Sequence, residues 1–131
     1  MRVLLFGTFD RFHPGHAFVL AEAAKRGDVT VVVALDENVK RIKGRPPSQP
    51  ASERAEAIKK LFPSANVIFG DSGDFFMPVR SMRPDLVLLG YDQKMPPGVS
   101  EADFSCHIER LPAFEPWAFK SSYGKISDFE L

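Results

Sequence analysis

A single cysteine, Cys106, in 131 residues excludes an internal disulfide framework and fits a reducing compartment. Charge of neither sign is in excess, since 17 Lys and Arg balance 17 Asp and Glu. Without a global field to attract nucleic acid or an anionic membrane, any anion site must be local. Long hydrophobic runs are missing too, and the longest, such as Val31 to Leu35, fall far short of a bilayer. The start, Met1-Arg2-Val3-Leu4-Leu5-Phe6, has the opening of a signal peptide, but Gly7 and Asp10 break it and no small-residue cleavage site follows. Internal repeats and low-complexity tracts are lacking. A soluble cytoplasmic protein is the expectation, with neither nucleic acid nor membrane as partner. The length predicts one domain spanning 1–131, and 44% apolar residues suffice for its core.

What is present alternates between strand and helix patterns. Val3 to Phe6 is a short apolar run, read as a strand buried on both faces. Gly15 to Arg26 reads as a helix with Ala17, Leu20, Ala21 and Ala24 inward and Gly27 beyond its cationic last turn. Val29 to Leu35 is a second strand, which completes a βαβ unit and so a parallel sheet. Lys40 to Pro50, basic and then proline-rich, reads as a loop. Ser52 is placed to cap a helix through Phe62, with Ala55, Ile58, Leu61 and Phe62 inward. A strand at Val67 to Phe69, a helix over Phe75 to Met82 and a buried strand at Leu86 to Leu89 follow. Cys106 to Leu111 is an edge strand, and Ser121 or Ser122 opens a final helix through Phe129. The predicted fold is α/β, a Rossmann-like open parallel sheet with helices on both faces. Ligands of such sheets sit at the carboxyl ends of the strands, which here means Gly7 to His16, Asp36 to Pro47 and Gly90 to Lys94.

The first of these segments holds the densest chemistry. Gly7-Thr8-Phe9-Asp10-Arg11-Phe12-His13-Pro14-Gly15-His16 places two histidines three apart at a helix start, where their side chains project on one side. The first helical amides lack intrahelical partners and the dipole favours negative charge there. Gly15 lets a ligand approach the backbone, and Pro14 does no harm where donors are surplus. Gly7 and Thr8 add to a cradle suited to an anion. Zinc needs more ligands than His13 and His16, and Cys106 and His107, adjacent on a strand, point to opposite faces. No metal site built on protein ligands is expected.

Gly7-Thr8-Phe9-Asp10 followed by His13-Pro14-Gly15-His16 resembles the signature of the nucleotidyltransferase superfamily, which includes cytidylyltransferases, pantetheine-phosphate adenylyltransferase and the archaeal-type FAD synthases. Asp36-Glu37-Asn38, Lys43-Gly44-Arg45-Pro46-Pro47, Glu53-Arg54 and Gly90-Tyr91-Asp92-Gln93 follow in an order similar to the archaeal-type FAD synthases. The resemblance covers Met1 to about Gln93. It implies transfer of a nucleotidyl group from a nucleoside triphosphate to a phosphorylated acceptor, with Mg²⁺ and release of pyrophosphate. The FAD synthase branch implies ATP and FMN. Cytidylyl transfer from CTP to glycerol 3-phosphate is the first alternative, and a nucleotide-binding module without catalysis is the second. A homodimer is compatible with the resemblance.

By that resemblance His13 and His16 hold α-phosphate oxygens, and Lys43 neutralises the triphosphate from a flexible basic loop. Arg54 reaches the acceptor or leaving group. Asp92 contacts the nucleoside beyond Gly90, and Asp10 positions a cation or binds Mg²⁺ indirectly. Gly7, Thr8, Phe9 and Gly15 line the nucleotide, and Ser122 matches the serine of a hydroxyl-rich turn in which Tyr123 and Gly124 replace the usual hydroxyls. Each residue also has a plainer role open to it. The histidines can cap a helix, Lys43 can belong to a solvated loop and Arg54 can decorate a helix surface. Asp92 can be a turn residue and Ser122 an N-cap.

Overall fold

The computed structural model describes residues 1–113. The predicted final helix, with Ser122, lies outside the described residues. Among the described residues five strands form one sheet of order β3-β2-β1-β4-β5: β1 (Arg2–Gly7), β2 (Asp28–Val33), β3 (Asn66–Phe69), β4 (Leu86–Leu89) and β5 (His107–Arg110). Every pairing is parallel, with Val3 opposite Val29 on one side and Leu86 on the other. The helices are α1 (Pro14–Arg26), α2 (Asp36–Lys43), α3 (Ala51–Leu61) and α4 (Met77–Met82).

The period-two alternation of the strands divides the core between two faces. Val3, Leu5, Val31, Val33, Leu86 and Leu88 pack under α1 and α3, with Leu20 and Ile58 supplied by those helices. Leu4, Phe6, Val32, Val87 and Leu89 face the other way, against α4 residues Val79 and Met82 and the rings of Phe75 and Phe104. Each fully buried aliphatic side chain contributes roughly 1.5–3 kcal/mol. Two-sided burial is why the central strands read as continuous apolar runs. The chain runs outward from β1 to β2 and β3, then returns to place β4 on the other side of β1. That reversal makes the carboxyl ends of β1 and β4 the switch point of the sheet, the usual ligand position in open α/β sheets.

Several local expectations shift. Asp36–Lys43, instead of leading into a loop at Lys40, is a helix with Asp36 and Glu37 in its first turn and Lys40, Arg41 and Lys43 in its last. Both ends therefore complement the helix dipole, and Gly44 closes it at φ 82° in the left-handed region open to glycine. Lys43 accordingly stands on a helix end rather than on a flexible loop. On α1 the buried alanine beside Ala17 and Leu20 is Ala23, while Ala24 is exposed. Alanines on neighbouring faces carry too little apolar contrast to fix the helix phase. On α3 the cap position is Pro50, so Ser52 lies inside the first turn; Leu61 is exposed and Arg54 takes an inward place. The helix before β4 begins at Met77, with Pro78 in its first turn.

Candidate active site

β1 ends at Gly7 and the chain turns through Thr8 to His13 into α1. Within this turn Phe9 and Arg11 hold φ of 53° and 52°. Non-glycine residues adopt that region at a cost on the order of 1 kcal/mol each, so neighbouring structure must hold them there. The segment between α2 and α3 does so. The Asp10 carboxylate accepts the amides of Ser48 at 2.7 Å and Gln49 at 3.0 Å, and Gln49 Oε1 accepts the Arg11 amide at 3.0 Å. Partial burial raises the Asp10 pKa, but these backbone donors outweigh it and leave the carboxyl below its ordinary value. Beneath the turn Arg54 is 0% exposed. It donates to the Thr8 carbonyl at 2.7 Å, the Gln49 carbonyl at 2.9 Å and the Asp36 carboxylate at 2.6 Å.

The two histidines build the amino end of α1. His13 is its extended N-cap residue, and its Nδ1 accepts the Gly15 amide at 3.1 Å. His16 Nδ1 accepts the His13 amide in return, at 3.4 Å. The imidazoles stack with centroids 3.7 Å apart and planes 23° from parallel. Phe9 and Phe12 pack their rings on His16 at 5.3 and 5.4 Å, and Phe12 belongs to the core. A Cβ on Gly15 would lie 2.9 Å from His13 Cε1, so glycine here makes room for the imidazole of the same chain. A ring nitrogen that accepts a hydrogen bond carries no proton. Each neutral imidazole therefore bears its N–H on Nε2.

Electrostatics keep them neutral. Burial pushes the His16 pKa down to about 3, helped by His13 and Lys43 and opposed by Asp10. Burial also lowers that of His13. At neutral pH the pair is thus two uncharged Nε2–H donors at the positive end of a helix dipole, which is where an anion is stabilised. One consequence concerns stability. Below pH 6.5 the unfolded chain protonates His16 while the folded chain does not until about pH 3. Folding stability is therefore expected to fall as pH drops from 6.5, by up to about 1.4 kcal/mol per pH unit for this one proton. Urea midpoints between pH 7.5 and 5 check it: a flat profile in wild type, or an equal slope in His16→Asn, contradicts the buried neutral imidazole.

At the neighbouring strand end, Gly90 opens a turn held from two sides. Gln93 Nε2 donates to the Phe6 carbonyl at 2.7 Å while its Oε1 accepts the Gly90 amide at 3.1 Å. Arg110 donates to the carbonyls of Gly90 at 3.0 Å and Gln93 at 2.8 Å. Asp92 sits exposed on this turn.

The structure thus brings Gly7, Thr8, Phe9, Asp10, His13, Gly15 and His16 into one turn, with the charge of Lys43 acting on His16 from α2. Gly90 and Asp92 border the same end of the sheet. One expectation changes. Arg54 does not reach outward to an acceptor, because its guanidinium is buried against Thr8, Gln49 and Asp36. Asp10 is tied to the chain rather than free: each oxygen already accepts one backbone amide, which leaves its remaining lone pairs for a cation or its water. Gln49, Asp36, Gln93 and Arg110 had not been assigned roles in this site. Gln93 and Asp36 carried a signal, as the last residue of Gly90-Tyr91-Asp92-Gln93 and the first of Asp36-Glu37-Asn38.

The sequence profile of the family described as Cytidylyltransferase-like matches residues 4–118. An FAD synthase of Natronomonas pharaonis is 35% identical over 97% of this chain and 94% of its own length. An FAD synthase of Methanosphaerula palustris is 42% identical over 75% of this chain, a stretch covering 63% of that protein. Among solved structures, a lipopolysaccharide core biosynthesis protein of Thermoplasma volcanium superposes with a TM-score of 0.76 at 32% identity, over 88% of this chain and 98% of that one.

Proposed function

Because the chain belongs to the cytidylyltransferase-like family and groups within it with the FAD synthases, we propose that it transfers the adenylyl group of ATP to the phosphate of FMN, yielding FAD and pyrophosphate. One observation carries the reading: two neutral imidazoles, locked by the backbone amides of Gly15 and His13, present Nε2–H donors at the amino end of α1, beyond the carboxyl end of β1.

A phosphate oxygen of FMN attacks the α-phosphorus of ATP. The new O–P bond forms as the bond to the bridging oxygen of pyrophosphate breaks. A phosphate monoester has its second pKa near about 6, so the nucleophile is already ionised and needs no strong base. The task left to the protein is to place the reactants in line and stabilise charge spreading over the equatorial oxygens. His13 and His16 serve those oxygens as preorganised donors. Neutral donors do not form a tight ion pair with the ground-state triphosphate, so their benefit falls on the transition state. Lys43 compensates the β- and γ-phosphates. Asp92 serves the nucleoside, and Gly7, Thr8, Phe9, Gly15 and Gly90 shape the walls. Ser122 is the further candidate for the triphosphate tail.

Among the described residues no group of three or more His, Cys, Asp and Glu is placed to hold a metal. Magnesium enters as part of the MgATP substrate, held by phosphate oxygens and water as this ion prefers. The described residues include no helix long and apolar enough to cross a membrane.

The test crosses ATP and CTP with FMN and glycerol 3-phosphate, with pyrophosphate and flavin products measured. FAD from ATP plus FMN is the expected result. Turnover confined to CTP plus glycerol 3-phosphate rejects the adenylyl assignment, and nucleotide binding without pyrophosphate from any pair rejects catalysis.

A further inference from the structure

Gln49, just ahead of α3, makes three hydrogen bonds at one place, and none of them is a rung of a helix or a sheet. Its amide donates to Asp10, its carbonyl accepts from Arg54 and its side-chain oxygen accepts from Arg11. The first two use backbone atoms that any residue supplies. The third depends on the side chain. It takes up the amide of Arg11, one of two residues held at positive φ in the turn that precedes His13. Released from Gln49, Arg11 loses the partner that offsets its unfavourable backbone. Phe9, two residues earlier and also left-handed, is then held only through the Asp10 bonds to Ser48 and Gln49, and its ring, which lies over Gly7 and against His16, is less firmly placed.

We infer that Gln49 is a positioning residue for the nucleotidyl-transfer site: its side-chain carbonyl fixes the left-handed turn from Phe9 to Arg11, and that turn seats the His16 imidazole. The inference rests on the role proposed above for His16. It assigns Gln49 no contact with substrate.

Methionine has nearly the length of glutamine but no strong acceptor, whereas glutamate keeps an acceptor oxygen at the same reach. Gln49→Met and Gln49→Glu are therefore compared with wild type in full-length protein. The first readout is steady-state kinetics with ATP and FMN. Gln49→Met is expected to lower kcat about tenfold with KM for ATP changed less than twofold, and Gln49→Glu to recover most of kcat. The second readout is the ionisation of His16 followed by NMR of its ring. The groups acting on it are His13, Asp10 and Lys43, and Phe9 and Phe12 cover it. In wild type and Gln49→Glu it stays neutral below pH 5, whereas in Gln49→Met its pKa moves up toward 6.5. Circular dichroism verifies that each variant is folded.

A Gln49→Met enzyme with wild-type kcat and an unmoved His16 overturns the inference, as does equal loss in both variants. Should wild type make no FAD, the reading of the reaction fails while the His16 titration still decides the role of Gln49.

Discussion

His16→Ala is expected to reduce kcat for adenylyl transfer by about 10²–10³-fold, the range seen when one preorganised donor to a developing oxyanion is removed. KM for ATP should change much less, because a neutral donor aimed at equatorial oxygens gains most when charge spreads in the transition state. The local cost to folding is small. His16 contributes one long hydrogen bond to the cap of α1, at 3.4 Å, beside the stronger one of His13, and the Phe9, Phe12 and His13 rings that touch its imidazole keep one another as neighbours. Melting temperature and kcat therefore separate. A large loss of kcat with nearly unchanged thermal stability supports the donor role. A rate unchanged within threefold refutes it, and a collapse of stability assigns His16 to the helix cap instead.

Arg54→Met carries the second large effect, and here stability is the quantity that moves. The guanidinium is 0% exposed and bonds two carbonyls and a carboxylate. Methionine fills similar volume but leaves the carbonyls of Thr8 and Gln49 without that donor. The Asp36 carboxylate is 48% exposed and regains water, so the full cost of an orphaned buried charge does not apply. The remainder is about 2–4 kcal/mol, which corresponds to a fall in Tm of roughly 10 °C for a chain of this size. Arg54→Lys keeps the charge but not the fork and should recover only part of it. Thermal unfolding read beside ATP kinetics distinguishes two roles. A normal Tm with a raised KM restores Arg54 to the ligand, whereas the expected loss of Tm makes it the support under the turn.

The two variants also mark how far local sequence reaches. The strands were legible because burial on both faces leaves no polar register to interrupt them, and Leu86 to Leu89 matches β4 at both ends. The histidine turn was legible because strand end, glycine, paired imidazoles and helix start are consecutive. Helix phase was less so: α1 and α3 place Ala23 and Arg54 inward where alanine and leucine patterns suggested others. The basic segment from Lys40 reads as a loop because its charge masks the end of a short helix with one buried side chain, Val39.

From the sequence alone came an α/β sheet, a phosphate-friendly turn after its first strand, and the residues carrying donors there. Tertiary structure decided what those residues are bound to. Asp10 and Arg54, expected to face ligand, join the turn to the segment at residues 48–54, and Gln49 joins them. These bonds span 38 to 46 residues and involve one partner each. Periodic burial repeats along the chain and so leaves a readable pattern. A single hydrogen bond between distant loops repeats nowhere, and it exists only once the sheet has brought its ends together.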